Sequence, residues 1–260
     1  MGTVETEAVI IRAYRLSEAD KIIVSLTKGE GMIRGVARGA RRLKSQFGAG
    51  LEPFTHVSLS FYMKEGRELV TFKRVEILKS YFTLSSKPEV LTVLEHFGQL
   101  LIEFAPPHQP DEKLYRLILA CLDAADADPE SVQAMHPYFE LWVLKLTGFL
   151  PDLKVCGGCG RTIRAGQEVV NMTAEGALRC GACAGGVPFA LSPALHGQLS
   201  SLNQLKPAEW ARRFRTLPAA DRDRLAGLVA RLTLRALERQ PGPSKTHAAY
   251  KLSGGPGLSR

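Results

Sequence analysis

Val57-Ser58-Leu59-Ser60-Phe61-Tyr62-Met63 alternates apolar and polar positions: Val57, Leu59, Phe61 and Met63 fall on one parity, Ser58, Ser60 and Tyr62 on the other. A period of two belongs to a strand with one face in a core and the other toward solvent. Outward from it, residues 8–13, 21–27 and 31–38 precede and 68–77 follow as further β-type runs, separated by polar or glycine-containing turns. Five short strands within residues 1–80 are most economically a five-stranded OB-fold β-barrel, which closes its sheet with this few strands. An SH3-like barrel is the rival.

From Pro88 the period becomes helical. Val90, Leu91, Val93, Leu94, Phe97, Leu100, Leu101 and Phe104 form one wide apolar stripe that stops at Pro106-Pro107, and Leu114, Leu117, Ile118, Cys121 and Ala125 form a second. Phe139, Trp142, Val143 and Leu146 form a third before Gly148. Ser192-Pro193 suits an N-cap and first turn, and residues 221–240 make the last long helix, with Leu225, Leu228, Val229, Leu232 and Ala236 inward. From residue 241 the chain reads PGPSKTHAAYKLSGGPGLSR, a composition too poor in apolar residues to offset its ordering entropy. The expected organisation is a multidomain α and β protein. A barrel at 1–80 is followed by an all-α helical domain at 81–240, with a zinc ribbon inserted at 154–187, and a flexible tail at 241–260.

Charge is segregated along the 260 residues. The net charge of +8 divides into +5 for residues 1–80, −6 for 81–150, +1 for 151–190 and +8 for 191–260. Such fields of one sign at both ends favour a polyanionic partner, nucleic acid first. Glu5 and Glu7 near the start do not make a basic-then-apolar leader, so the chain is expected inside the cell. The longest uncharged stretch, residues 180–205, is broken by Gly185, Gly186, Pro188 and Pro193 and is no membrane span.

The sharpest local signal is Cys156-Gly-Gly-Cys159 followed by Cys180-Gly-Ala-Cys183, the spacing of a four-thiolate zinc site. Four cysteines close a tetrahedral shell with no position for water, so one structural Zn2+ is expected rather than a catalytic one. Gly157, Gly158, Gly160 and Gly181 are expected to supply backbone conformations closed to other residues. Residues 169–172 and 177–180 flank a turn at Glu175-Gly176, a plausible hairpin. The bland alternative is four reduced thiols or a redox pair. Cys121, on an apolar helix face, reads as a small core hydrophobe.

The second signal is residues 31–51, which lack any carboxylate and hold Arg34, Arg38, Arg41, Arg42 and Lys44. Guanidinium forks bind phosphate, and Gly35 and Gly39 would let a backbone pass close. A charge run is commonly only a solvated face. Placed on an OB-fold it reads as a groove for a single strand, with Phe47, Tyr62 and Phe72 as candidate stacking platforms and Arg12, Arg15, Lys21, Lys73 and Arg74 as extensions. A third, weaker signal is Arg224, Arg231, Arg235 and Arg239, which share a face of the last helix. Its bland reading is a solvated surface or salt bridges to the acidic middle segment. No GxxxxGK[ST], HExxH or GxSxG occurs and the six histidines are scattered, so no enzyme is expected.

In four segments the chain resembles the RecO family of bacterial recombination mediators: YRLSEADKIIVSL at 14–26, GVARGARRLKS at 35–45, LEPFT at 51–55 and GFLPDLKVCGGC at 148–159. The resemblance covers about residues 5–239. It implies an N-terminal OB-fold, a helical C-terminal domain holding a zinc finger, and a role without turnover of a small molecule. Members of that family bind single- and double-stranded DNA and anneal complementary strands. With RecR they help RecA replace single-strand DNA-binding protein. Such a protein would be cytoplasmic and nucleoid-associated in a bacterium. Some relatives lack the cysteines; the metal site carries over because Cys156, Cys159, Cys180 and Cys183 are all present. Contact with the tail of the single-strand binding protein would fall in the helical domain, with the basic residues between Arg212 and Arg239 as counter-charges. The rival classes are an RNA-binding OB and zinc-ribbon protein, and an interaction scaffold.

Overall fold

A computed structural model describes residues 2–64, 69–166, 170–186 and 189–239. The proposed tail at 241–260 lies outside the described residues. Packing divides the chain into two compact units, residues 1–129 and 130–260.

The first unit is a five-stranded sheet whose ends meet. Its strands are β1 (Gly2–Arg15), β2 (Lys21–Thr27), β3 (Gly31–Ala37), β4 (His56–Met63) and β5 (Leu69–Lys79). The order is β1-β2-β3-β5-β4, with β4 paired back onto β1. The β3–β5 pair is parallel and the others antiparallel, an OB-like arrangement. Alternation decides what lies inside the ring. Ala8, Ile10, Ile23, Ile33, Val57, Leu59, Phe61, Val70 and Phe72 fill the interior, and Phe47 and Leu51 close it from the segment after β3.

Val9, Ile11, Val24, Leu26 and Met32 are also buried although they lie outside that interior cluster. Two-sided burial explains why β1 and β2 carry unbroken apolar runs rather than strict alternation. Part of that second layer rests on α2 (Pro88–Phe104), where a side chain at Gly98 would stand 3.2 Å from Ile11 Cγ2. The chain after α2 then bridges Pro107 to Met32, and the His108 amide donates to the Met32 carbonyl at 3.2 Å. Helix α3 (Glu112–Ala127) starts where the Asp111 carboxylate accepts from the amides of Lys113 and Leu114. It is tied to β5 and to the short α1 (Phe82–Ser85) region, Asp123 accepting from Lys79 and from Tyr81, each at 2.7 Å. Each large apolar residue on these helix faces contributes roughly 1.5–3 kcal/mol on burial. By compactness α2 and α3 group with the sheet in the first unit.

The second unit contains α4 (Val132–Leu146), α5 (Pro193–Ser200), α6 (Pro207–Arg215) and α7 (Ala219–Arg239). Between α4 and α5 lies a small sheet of β6 (Val170–Met172), β7 (Leu178–Arg179) and β8 (Phe189–Leu191), ordered β7-β6-β8. The expected hairpin is β6–β7; β8 adds a third strand just past the expected end of the ribbon at 187. Trp210 on α6 is fully buried: it stacks on Phe214 with ring centroids 5.3 Å apart, and its indole donates to the Gln198 carbonyl at 3.3 Å. The Gln198 side chain returns a bond to the Trp210 carbonyl at 3.0 Å, joining α5 to α6.

Candidate nucleic-acid interface and metal centre

β3 ends in a basic loop. Arg34 lies on the strand, on the parity opposite Ile33 and Gly35, and is exposed; Arg38, Arg42 and Lys44 follow, also exposed. Among the described residues no hydrogen bond or ion pair engages the side chains of these four, nor that of exposed Lys73 on β5. The other expected contacts are engaged. Arg41 donates from Nη1 to the carbonyls of Ser17 and Glu18 at 2.9 and 3.0 Å, while the Asp20 carboxylate accepts from the Gly39 amide at 2.8 Å. Arg41 thus staples the β1–β2 turn to the basic loop and positions its neighbours. Arg12 donates to Gln99, Arg15 pairs with Glu18, Lys21 with Glu52 at 3.4 Å, and Arg74 with Glu76. The exposed ion pairs of Arg15, Lys21 and Arg74 are weak and yield readily to a competing phosphate, whereas the Arg12–Gln99 bond is part-buried.

Two of the three expected stacking platforms are corrected. Phe47 and Phe72 are only 4% and 2% exposed and belong to the interior of the ring. Gly35 also has a different role from the one expected. A side chain there would stand 2.7 Å from both Phe72 Cε1 and Val70 Cγ2, so this glycine makes room for Phe72 inside and not for a ligand outside. Tyr62 is half-buried and belongs to a row that sequence reasoning missed. In register, Tyr14 faces Ile22, Ile22 faces Val36, Val36 faces Thr71 and Thr71 faces Tyr62. Directly opposed residues share a face, so this row runs through all five strands on the outside of the sheet, from Tyr14 on β1 to Tyr62 on β4. Tyr14 is 45% exposed. The signal was available as the parity opposite Ala13 and Ile23, but it required β1 to continue to Arg15.

The cysteines converge. The four sulfurs of Cys156, Cys159, Cys180 and Cys183 lie within 4.8 Å of one another, and could hold a metal ion. Cys159 and Cys180 are 3.8 Å apart, close to the sulfur–sulfur edge of about 3.8 Å that a tetrahedron with metal–sulfur bonds of about 2.3 Å requires. The amides of Cys180 and Gly158 point at Cys156 Sγ at 3.3 and 3.4 Å. Donation from the Cys180, Cys159 and Gly158 backbone pulls the Cys156 thiol down to about 6. Cys183, crowded by the sulfurs of Cys180 and Cys159, is pushed up to about 12. Four thiolates in this space therefore call for a cation at their centre. Cys121 is fully buried on α3, where desolvation raises its thiol well above the ordinary range, in keeping with a core residue.

The knuckle glycines act mostly through space. Gly160 takes a φ of 75°, as expected, but a side chain at Gly157 would meet Arg179 Nη1 at 2.6 Å and one at Gly158 would meet Cys183 at 3.1 Å. Gly181 has neither a positive φ nor a neighbour within 4 Å, so nothing in the structure requires glycine there.

The arginine stripe of α7 faces the ribbon. Arg224 donates to the Ala190 carbonyl at 3.1 Å, the Arg231 guanidinium lies 3.5 Å from the Phe189 ring centroid, and Arg235 pairs with Glu175 at 3.2 Å. Burial lowers the pKa of Arg231. A side chain at Gly176 would stand 2.8 Å from Leu232, so the β6–β7 turn sits directly on this helix. Neither the DNA-binding reading nor pairing with the acidic middle segment describes Arg224, Arg231 and Arg235; they seat the cysteine ribbon.

Comparison with known proteins agrees with the fold. Residues 1–81 match the family model described as recombination protein O N terminal, and residues 85–246 match recombination protein O C terminal. The DNA repair protein RecO of Anaeromyxobacter sp. (strain K) is 33% identical over 207 residues, covering 79% of this chain and 80% of that protein. The protein of the same name from Rubrobacter xylanophilus is 29% identical over 214 residues, covering 81% and 85%. That from Symbiobacterium thermophilum is 35% identical over 163 residues, covering 62% of each. With both models matched in order along an OB-like sheet, a helical second unit and a four-cysteine cluster, the chain belongs to the RecO family of DNA repair proteins.

Proposed function

We propose that this protein is a recombination mediator that turns over no small molecule. It binds single- and double-stranded DNA without reading sequence, anneals complementary strands and, with RecR, promotes RecA loading onto strands coated by single-strand DNA-binding protein. The observation that carries the DNA reading is the group of unengaged cations Arg34, Arg38, Arg42, Lys44 and Lys73, on a sheet whose outer face bears the row from Tyr14 to Tyr62. Annealing requires two phosphate backbones to approach without their bases being locked away. Point charges on a mobile stem and guanidinium forks neutralise phosphate, and a half-exposed tyrosine stacks on any base. Arg15, Lys21 and Arg74 join when phosphate displaces their exposed partners, Arg12 when it gives up its part-buried bond to Gln99, and Arg41 holds the loop in place.

In this reading the cysteine cluster holds one structural Zn2+. Bound there, the ion supplies the charge that four thiolates need, and the ribbon it ties is seated on Arg224, Arg231 and Arg235. The tail of the single-strand binding protein docks in the second unit, where exposed Arg212 and Arg215 on α6 offer counter-charges. No helix among the described residues is long and apolar enough to cross a membrane, and the site of action proposed is the cytoplasm, at the nucleoid.

The test is single-strand binding across a salt series. Three phosphate contacts removed in Arg38→Ala/Arg42→Ala/Lys44→Ala should flatten the log–log salt slope by about 2, from roughly 0.7 per contact. An unchanged slope in the folded variant would contradict the assignment. Equal binding of matched RNA and DNA strands would favour the RNA-binding rival, and negligible affinity for either would favour the scaffold.

A further inference from the structure

The second unit carries another cationic feature that neither the proposed DNA face nor the metal centre uses. A cleft of about 340 Å3 lies between the chain following Leu153 and helices α5 and α6. Lys154, Thr162, Ser200, Gln204 and Arg213 line it together with Gly197, and among the described residues no aspartate or glutamate does. Lys154 and Arg213 approach the same space without a counter-ion: both are exposed, and among the described residues no bond or ion pair engages either side chain. Gly197 explains how the guanidinium gets there. A side chain at 197 would stand 3.2 Å from Arg213 Nη2, so the missing Cβ leaves the surface of α5 open to the fork. Ser200, on the cleft wall, is 9% exposed, and its hydroxyl is buried with no hydrogen-bond partner. A native fold rarely leaves such a group unsatisfied unless something else completes it.

We propose that this cleft is a binding site for a phosphate group, held by Lys154 and the Arg213 fork with hydroxyl donation from Thr162 and Ser200. Two full positive charges and hydroxyl donors suit a tetrahedral phosphate oxyanion, singly charged as a phosphodiester and more highly charged as free phosphate, and a planar guanidinium engages two of its oxygens at once. A carboxylate presents its two oxygens in one plane, whereas the tetrahedral phosphate group spreads its oxygens toward donors on different walls of the cleft. The phosphate group belongs either to a nucleic-acid backbone or to free phosphate, and the site stands whether or not DNA binds the first unit.

The experiment uses the full chain with its metal retained. Thermal stability is followed while inorganic phosphate is titrated at ionic strength held constant with chloride, beside a titration with acetate. Expected is a saturable stabilisation by phosphate and none by acetate. Apparent affinity should fall at least tenfold in Lys154→Ala/Arg213→Ala, whose folding is checked in chloride alone, and also fall in Ser200→Ala. If the double variant then flattens the salt slope of oligo-dT binding by about 1.4, the phosphate is a backbone phosphate. If that slope is unchanged while the phosphate titration is lost, the source is free phosphate. No saturable response, an equal response to acetate, or an unaltered response in the double variant would overturn the site.

Discussion

Gly35→Ala separates two accounts of one residue. Sequence alone suggested that glycine in β3 lets a nucleic-acid backbone approach, whereas the structure turns that position inward, against Phe72 and Val70. An added methyl would meet Phe72 Cε1 and Val70 Cγ2 at 2.7 Å and Phe72 Cζ at 2.8 Å, closer than carbon atoms tolerate. Overpacking of this kind costs about 1–3 kcal/mol. The loss of glycine's freedom in the unfolded chain returns about 0.4–1 kcal/mol, because φ at 35 is not positive. The net is about 1–2 kcal/mol, a fall in melting temperature of roughly 3–10 °C for a unit of this size. Gly35→Ala/Phe72→Leu should recover part of it, since the smaller side chain vacates the contested space and the two effects couple. Single-strand affinity, measured well below the transition, should match that of the parent. Unchanged melting with weakened DNA binding would refute the packing argument and return Gly35 to the ligand.

Removing the metal with a chelator under reducing conditions should loosen residues 154–186 and their seat on α7. Hydrogen exchange should rise there and at Arg224–Arg235, with β1 to β5 unaffected. Cys183→Ser should lower bound metal, whereas Cys121→Ala should leave it at one equivalent and cost stability only, about 1 kcal/mol or more for a shrunken core side chain. Acidification should destabilise the first unit in two stages. His56 is held below its usual 6.5 mainly by desolvation, so the unfolded chain takes its proton first and stability falls as pH drops through that region. Glu7 is held below its usual 4.5, first by its bond from Lys28, so its contribution is present above that value and is lost as pH falls further. His56→Gln should remove the upper stage of a melting-temperature profile between pH 7.5 and 4 and keep the lower; persistence of both stages would contradict this.

Much of the architecture could be read in the sequence because it rests on strict periods. The run at 57–63 and its four companions fall on the observed strands, differing chiefly at the ends, where β1 extends from Gly2 to Arg15. The paired cysteines were equally legible, since the spacing itself is the geometry. Helix α6 escaped because only Pro207, Trp210, Ala211 and Phe214 of its nine residues are buried, too few to make a stripe. β8 escaped because three residues carry no period.

The site was less legible, for a physical reason. Composition reports how many cations a loop holds but not which are already engaged. Arg41 and Arg42 are neighbours in sequence, yet the first is spent on the Ser17 and Glu18 carbonyls. The same holds on α7, where a basic stripe opposite leucines reads as a solvated face until the ribbon is set against it. Aromatic platforms fail likewise: Phe72 and Tyr14 take opposite sides of the sheet, which pairing register fixes and composition does not, and Phe47 closes the interior from the segment after β3.

The most direct measurement is strand annealing and single-strand binding by the protein beside Arg38→Ala/Arg42→Ala/Lys44→Ala, leaving Arg41 in place, with folding and metal content verified in both. The account expects both activities to be lost or severely reduced in a folded, metal-loaded variant. Undiminished annealing by that variant would contradict the assignment of the DNA face to the loop after β3.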